Sequence, residues 1–160
     1  TVTLGYKKEG FSHALDGFGF VVPKAEGRSI LACTWTSSKF PHRAPEGHVM
    51  IRCYLGGALQ EEIAEKDAET LEKLVRDDLR EIMGITETPV FCKVFQNFKS
   101  NVQYHVNHSK RIDSIMEDLK NYPGLFLAGS AYRGIGIPDC IQNGNVAAES
   151  ALEFLNGKSH

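Results

Sequence analysis

Three glycines lie between an apolar run and a helical run near the end of this 160-residue sequence, in LFLAGSAYRGIGIPDCIQNGNVAAESALEFL (residues 125–155). Gly129, Gly134 and Gly136 are close enough in sequence to share one loop. Glycines let a backbone approach a ligand closely, and the N-terminus of a following helix attracts anions such as phosphate. The segment therefore raises the question of a nucleotide or anion site.

Both common phosphate-binding motifs fail in this segment. Gly129 and Gly134 have the spacing of a P-loop, but Ile135 and Gly136 stand where Lys and then Ser or Thr are required. The dinucleotide pattern G-x-G-x-x-G fails because Asp139 occupies the place of the third glycine. Two interpretations remain from the spacing alone. The loop is either one wall of a ligand site completed by other parts of a protein, or a structural turn before a closely packed helix.

The other side chains that could do chemistry give weaker signals. His105 and His108 lack a neighbouring carboxylate or cysteine that would complete a metal site, so we interpret them as surface or capping residues. One group of aromatic residues could line a ligand cavity, but such a group is more typical of the core of a sheet. Its members are Trp35, Phe40, Phe91, Phe95 and Phe98.

The composition limits the classes of partner and compartment. A net charge of -2 with dispersed Lys and Arg gives no bulk attraction for nucleic acid or acidic membranes. No apolar run is long enough to cross a membrane. The four cysteines lack paired spacing, which indicates free thiols in a reducing, cytoplasmic setting. They are Cys33, Cys53, Cys92 and Cys140. The sequence begins without Met and is at once strand-like, which suggests a fragment of something longer.

Alternating or β-branched runs predict strands in the first two thirds of the chain, and helical periodicity predicts three helices. The strands are expected over 1–7, 17–23, 29–36, 48–57 and 89–98, with a short buried strand over 125–129. The helices are expected over 67–84, over 109–124 and from Asp139 onward, where DCIQ fits a capping box. Asp67 is the expected N-cap of the first helix, and Gly84 the residue that ends it. The sum is an α+β fold with a mostly antiparallel sheet of about five strands and three helices.

Read in order, several segments resemble the oxygen-dependent protoporphyrinogen oxidase family of the flavin amine-oxidase superfamily. They are LDGFGFVVPK, ILACTWTSSKFPHRAPEG, MIRCYLGG, QYHVNHSKRI and PGLFLAGSAYRGIGIPDCIQNGNVAAESAL. The similarity is greatest to its Gram-positive branch, whose members oxidise coproporphyrinogen III. The core Y-x-G-x-G-I-P-D-C-I at 132–141 is specific to that family, unlike a bare GxG.

The resemblance implies a partial flavin amine-oxidase fold, formed by the C-terminal part of a larger enzyme. Residues 1–124 would belong to the substrate domain and 125–160 to the FAD domain, with the N-terminal Rossmann unit absent. Gly134, Ile135, Gly136, Ile137 and Pro138 match the family's C-terminal flavin contact, where small residues leave room for the ring. Gly17 to Val22 and the strands after it match the sheet that floors the substrate cavity. No catalytic acid or base follows from the match.

Three positions depart from the family pattern within one short segment. Asn97 replaces a Trp that lies near the flavin, Asn101 replaces a Met, and Asn107 replaces a Gly. Exchanging apolar for polar residues suits a surface that faces water, in a divergent relative or in a fragment that exists alone.

The resemblance implies an FAD-dependent oxidase of haem biosynthesis that converts coproporphyrinogen III or protoporphyrinogen IX to the porphyrin and O2 to H2O2. This chain alone is expected to be inactive and not to hold FAD. The alternative is a non-catalytic domain of the same origin, folded without flavin and binding a porphyrin-like or apolar ligand. Peripheral membrane contact and self-association are compatible with both, and neither needs nucleic acid. The sequence does not distinguish the two porphyrinogens.

Overall fold

The computed structural model describes residues 1–157, and the chain divides into two compact units. The first is Thr1–Phe98 and the second begins at Lys99. The division by compactness falls earlier than the boundary at 124 that the resemblance implies. Compactness in this chain does not test which domain of a larger enzyme each part belongs to, so that assignment stays a prediction.

The first unit is built on the predicted antiparallel sheet of five strands, in the order β2-β3-β4-β1-β5. The strands are β1 (Val2–Lys7), β2 (Gly19–Val21), β3 (Ile30–Thr34), β4 (His48–Leu55) and β5 (Phe91–Val94). All four pairs of neighbouring strands are antiparallel. Most strands are shorter than predicted, because an apolar run continues past the point where its backbone stops pairing with a neighbour.

One face of this sheet packs against a long helix, α3 (Ala68–Met83), and forms the core. The buried strand residues follow the period of two that directs alternate side chains to one face. Val2, Leu4 and Tyr6 of β1 lie beside Ile51 and Cys53 of β4. The helix contributes the buried residues Leu71, Val75 and Leu79. We call the opposite face of the sheet, which points away from α3, the open face.

The ends of α3 confirm the sequence prediction. Asp67 is the N-cap, and its carboxylate accepts a hydrogen bond from the backbone N–H of Thr70 at 2.9 Å. Gly84 ends the helix in the left-handed conformation, with φ of 70°. A short polar side chain at the N-cap accepts a hydrogen bond from a backbone N–H that has no partner within the helix. Glycine after the last turn adopts the left-handed conformation without the steric penalty of a side chain.

Two further helices of a single turn were not predicted, so the structure has five α-helices within residues 1–157 where the sequence indicated three. They are α1 (Thr36–Lys39) and α2 (Glu61–Ala64). A segment of four residues is too short to show helical periodicity, which explains why the sequence did not indicate either helix.

The second unit contains the other two long helices, α4 (His108–Leu119) and α5 (Ile137–Gly157). The predicted strand over 125–129 is wrong, because these residues pair with no strand among the described ones. The start predicted for the last helix is also wrong: α5 begins at Ile137, two residues before Asp139. Gly157 is its last helical residue.

Large apolar side chains are exposed along one side of α5. Within residues 137–157 no side chain is buried, and Ile141 and Leu152 are both 60% exposed. The helix α4 buries Ile112. None of the helices described in residues 1–157 combines the length and hydropathy needed to cross a membrane.

Candidate functional site

The predicted flavin-contact residues form the turn that starts α5. The backbone N–H of Tyr132 donates to the carbonyl of Gly129 at 3.2 Å, and that of Cys140 donates to the carbonyl of Gly136 at 3.0 Å. The second bond is the first of the helix and makes Gly136 the N-cap position. Gly134, Ile135, Gly136, Ile137 and Pro138 therefore run through the loop and the first helical turn, with Pro138 where its missing N–H costs nothing.

Gly134 and Gly136 are required by a contact inside the chain. Gly134 has φ of 69°, and a Cβ placed there would lie 2.4 Å from the Cβ of Asp139. A Cβ at Gly136 would lie 3.0 Å from Oδ2 of Asp139. The Asp139 side chain thus folds back over the loop, and the two glycines make room for it. This contact accounts for two of the three glycines, Gly134 and Gly136, without any ligand.

The Asp139 carboxylate also restricts what the loop could bind. A carboxylate beside the first turn of a helix is stabilised by the positive end of the helix dipole. A phosphate brought to the same place would meet a like charge, whereas a hydroxyl could donate a hydrogen bond to Asp139. The electrostatics therefore agree with the failed phosphate motifs and favour a neutral, hydroxyl-bearing ligand at this loop.

Two apolar side chains project from the same loop. Ile135 is 62% exposed and Ile137 is 77% exposed in residues 1–157. Side chains of this size on a tight turn are available to contact the face of a planar apolar ring.

The segment before α4 is fastened to the loop by two side chains. The Tyr104 hydroxyl donates to the carbonyl of Ser130 at 2.6 Å, and Nε2 of His108 bonds to the carbonyl of Tyr132 at 2.8 Å. The Tyr104 and His108 rings stack, with centroids 3.9 Å apart. A carbonyl only accepts hydrogen bonds, so Nε2 of His108 carries a proton. Sequence reasoning missed this arrangement, although QYHVNH is among the segments that carry the resemblance.

A groove of about 560 Å³ lies between the start of α4 and the loop. Its lining is aromatic and cationic, without a carboxylate: Tyr104, His105, Asn107, His108, Ser109, Lys110, Tyr132, Arg133 and Gly134. No cluster of His, Cys, Asp and Glu in residues 1–157 could hold a metal ion. The groove could accommodate a planar ring together with an electronegative group.

The interpretation of the aromatic group as sheet core is wrong for most of its members. Phe40, Phe91, Phe95 and Phe98 are between 43% and 58% exposed. Trp35 alone packs partly against the core. Phe91 projects from the open face of the sheet, beside Gly5, whose missing side chain leaves space for the Phe91 ring.

The chain is similar to known proteins over most of its length. The sequence profile of the family described as flavin containing amine oxidoreductase matches residues 1–152. The chain is 38% identical over 155 residues to coproporphyrinogen III oxidase of Bacillus subtilis (strain 168), covering 96% of this chain and 33% of that protein. It is 38% identical over 156 residues to coproporphyrinogen III oxidase of Staphylococcus aureus (strain NCTC 8325 / PS 47), covering 97% of this chain and 34% of that protein.

A solved structure is similar over the same extent. The crystal structure of an Exiguobacterium sp. 255-15 protein assigned as a protoporphyrinogen oxidase superposes with a TM-score of 0.82 at 33% identity. The match covers 95% of this chain and 34% of that one. The chain thus spans about a third of the length of the relatives it matches.

Proposed function

Because the chain belongs to the family of flavin-containing amine oxidoreductases, we propose that it is part of an FAD-dependent porphyrinogen oxidase of haem biosynthesis. The observation that carries this proposal is the 38% identity to two coproporphyrinogen III oxidases over nearly the whole chain. Such identity over one third of an enzyme favours the same substrate class, coproporphyrinogen III or protoporphyrinogen IX. O2 would be the acceptor and H2O2 the second product.

The residues proposed to contact FAD are Gly134, Ile135, Gly136, Ile137 and Pro138. Exposed Ile135 and Ile137 suit the apolar ring system, and the Asp139 carboxylate suits the hydroxyls of the ribityl chain. The bound flavin would supply the hydride-accepting chemistry of the reaction. The chain's own part is to position the ring and keep water from it. The rest of the binding site would come from protein outside these residues.

We also propose that the enzyme is cytoplasmic. All four cysteines are free in the structure, and Cys33 and Cys53 are buried neighbours on paired strands without a disulfide. Thiols of this kind persist in a reducing compartment.

A chimaera tests the proposed function. This chain would replace the matching third of Bacillus subtilis coproporphyrinogen III oxidase, and the purified protein would be assayed for flavin absorbance and for oxidation of coproporphyrinogen III by porphyrin fluorescence. We expect a yellow protein that forms coproporphyrin faster than the spontaneous reaction. The 160-residue chain alone, mixed with FAD, should not exceed the spontaneous rate.

A chimaera that folds and binds FAD but forms no porphyrin would contradict the proposal. The Staphylococcus aureus enzyme offers a second host with the same identity, so one misfolded chimaera would not decide the question. Oxidation by the isolated chain with FAD would contradict the view that it supplies only part of the site.

A further inference from the structure

One row of side chains crosses all five strands on the open face of the sheet. Gly19 pairs with Thr34, Thr34 with Arg52, Arg52 with Thr3, and Thr3 with Lys93. Residues directly opposite each other in an antiparallel ladder project from the same face. Thr3 and Arg52 alternate with the core residues Val2 and Cys53, so the row points away from α3.

The row is cationic, and apolar rows lie on both sides of it. It carries two cations and two hydroxyls, and the five strands of the described sheet contain no Asp or Glu. On one side lie Met50, Gly5 and Phe91, and on the other Tyr54, Ala32 and Val21. The open face therefore suits a flat apolar ligand with anionic arms.

Arg52 lies at the centre of this face without a counter-charge. Its side chain is half-buried, and Nε donates to the Thr3 hydroxyl at 3.4 Å, which holds the guanidinium against the sheet. No carboxylate in residues 1–157 forms an ion pair with Arg52. A partly desolvated guanidinium is best satisfied by a carboxylate that accepts two parallel N–H bonds.

We propose that Arg52 receives a carboxylate of the porphyrinogen and favours coproporphyrinogen, which has a carboxylate arm on each of its four rings and can present one to Arg52 in more orientations than protoporphyrinogen can. This inference rests on the proposed function. Coproporphyrinogen carries four carboxylate arms on an apolar macrocycle, and protoporphyrinogen carries two. The macrocycle lies on the apolar rows and one arm reaches Arg52. Lys93 is two strands away, about 9–10 Å, and is available to a second arm.

Porphyrin binding by the 160-residue chain tests this role. Coproporphyrin III, the oxidised macrocycle that cannot react further, would be titrated by fluorescence into the unsubstituted chain and the variants Arg52→Met, Arg52→Lys and Arg80→Met. Arg80 lies on α3, on the other side of the sheet, and is exposed, so it is the matched control. Circular dichroism would check that each variant is folded.

We expect Arg52→Met to raise the Kd for coproporphyrin III at least about tenfold, the loss of one charge-assisted hydrogen-bonded pair. The Kd of Arg52→Lys should lie between those of the unsubstituted chain and Arg52→Met, since lysine keeps the charge but not the paired N–H groups. Arg52→Met should raise the Kd for protoporphyrin IX less than that for coproporphyrin III. Arg80→Met should change neither Kd. The tetramethyl ester of coproporphyrin should compete poorly with the free acid.

Two results would overturn the inference. One is an unchanged Kd for coproporphyrin III in a folded Arg52→Met variant, and the other is no coproporphyrin binding by the unsubstituted chain. Neither result would contradict the proposed function, because oxidation of coproporphyrinogen III by the chimaera tests it. An inactive but flavin-loaded chimaera, conversely, would refute the proposed function whatever the chain binds.

Discussion

Asp139 is the residue that determines the shape of the loop before α5. Its carboxylate folds over Gly134 and Gly136, and the helix starts two residues before it. The sequence showed the glycines but not this partner, because a capping-box pattern assigned Asp139 to the N-cap itself. The glycines are explained by a contact within the chain, so any flavin contact depends on the exposed neighbours Ile135 and Ile137.

Replacing Gly134 should therefore be costly even without a ligand. Gly134→Ala forces a side chain into the left-handed region, which costs about 1–2 kcal/mol, and adds a clash with the Cβ of Asp139. Urea unfolding followed by circular dichroism would measure the loss. We expect it to exceed that of Gly27→Ala, which has φ of 64° and open space around the added Cβ.

A second variant separates the two causes. In an Asp139→Gly background the clash is gone and only the backbone cost of Gly134→Ala should remain. If Gly134→Ala and Gly27→Ala lower the free energy of unfolding equally in the original background, the Asp139 contact does not explain why glycine is needed at position 134.

Asn107 shows how a departure from a family pattern can preserve the structure. It stands where the pattern has Gly, and its φ of 69° lies in the left-handed region. Asn adopts that region more readily than other residues with a side chain. The exchange at this position is thus conformationally conservative and is not by itself a sign of a lost flavin contact. The sequence alone could not show this, because nothing local marks the residue before α4 as left-handed.

Among the secondary-structure elements, α3 is joined to the sheet by a buried carboxylate that the sequence did not reveal. Asp78 is 8% exposed and accepts hydrogen bonds from the backbone N–H groups of Ser29 at 2.8 Å and Ile30 at 3.0 Å. Arg28 lies beside it and also pairs with Glu81. These bonds fix the start of β3 against the helix.

Asp78→Ala should destabilise the first unit by about 2 kcal/mol or more, since it leaves two backbone N–H groups without an acceptor. Asp77→Ala is the control, because among residues 1–157 Asp77 forms ion pairs with the exposed side chains of Lys73 and Arg80 only, and its loss should change stability by less than about 0.5 kcal/mol. Chemical unfolding of both variants would measure the difference. Equal losses would show that the buried contacts do not secure β3.

The packing of β5 gives the first unit a pH dependence. Burial raises the pKa of the Cys92 thiol to about 12, and the nearby Glu72 carboxylate adds to the rise. An unfolded cysteine titrates at about 8.5. Between these values the unfolded chain has lost a proton that the folded chain keeps, so stability falls as pH rises. Burial raises the pKa of Tyr6 and acts in the same direction.

We therefore expect stability to be steady near neutral pH and to decline from about pH 8.5 upward. Cys92→Ser and Cys92→Ala lack the titrating thiol and should show a shallower decline. Urea unfolding at several pH values would measure it. If the free energy of unfolding of both variants falls with pH as steeply as that of the unsubstituted chain, Cys92 is not a cause of the decline.

An element could be predicted well when the residues that determine it lie within the element itself. The helix α3 was predicted nearly to the residue because Asp67, Gly84 and the apolar spacing are all local. The run 125–129 failed as a strand because pairing needs a neighbouring strand, which residues 1–157 do not provide. Phe91 on the open face was misassigned for a related reason. An apolar side chain in a strand does not reveal which face is covered.

At the scale of the whole molecule, one side of α5 exposes large apolar side chains. Along α5 no residue is buried, and Ile141 and Leu152 are exposed on one side, eleven residues or about three turns apart. Exposed apolar surface of this extent is normally an interface. Other parts of the proposed enzyme would cover this side of α5. When the chain is isolated, a second copy of it can do so.

We therefore expect the isolated chain to self-associate and the double substitution Ile141→Glu with Leu152→Glu to prevent it. Two negative charges on the apolar side of α5 resist desolvation in any interface. Sedimentation velocity over a hundredfold range of concentration would measure association. Gln142→Glu with Asn156→Glu is the control, because it adds the same charge to the same helix and leaves both apolar side chains in place. If the control dissociates the chain equally, net charge is the cause. If neither variant does, α5 is not the contact surface.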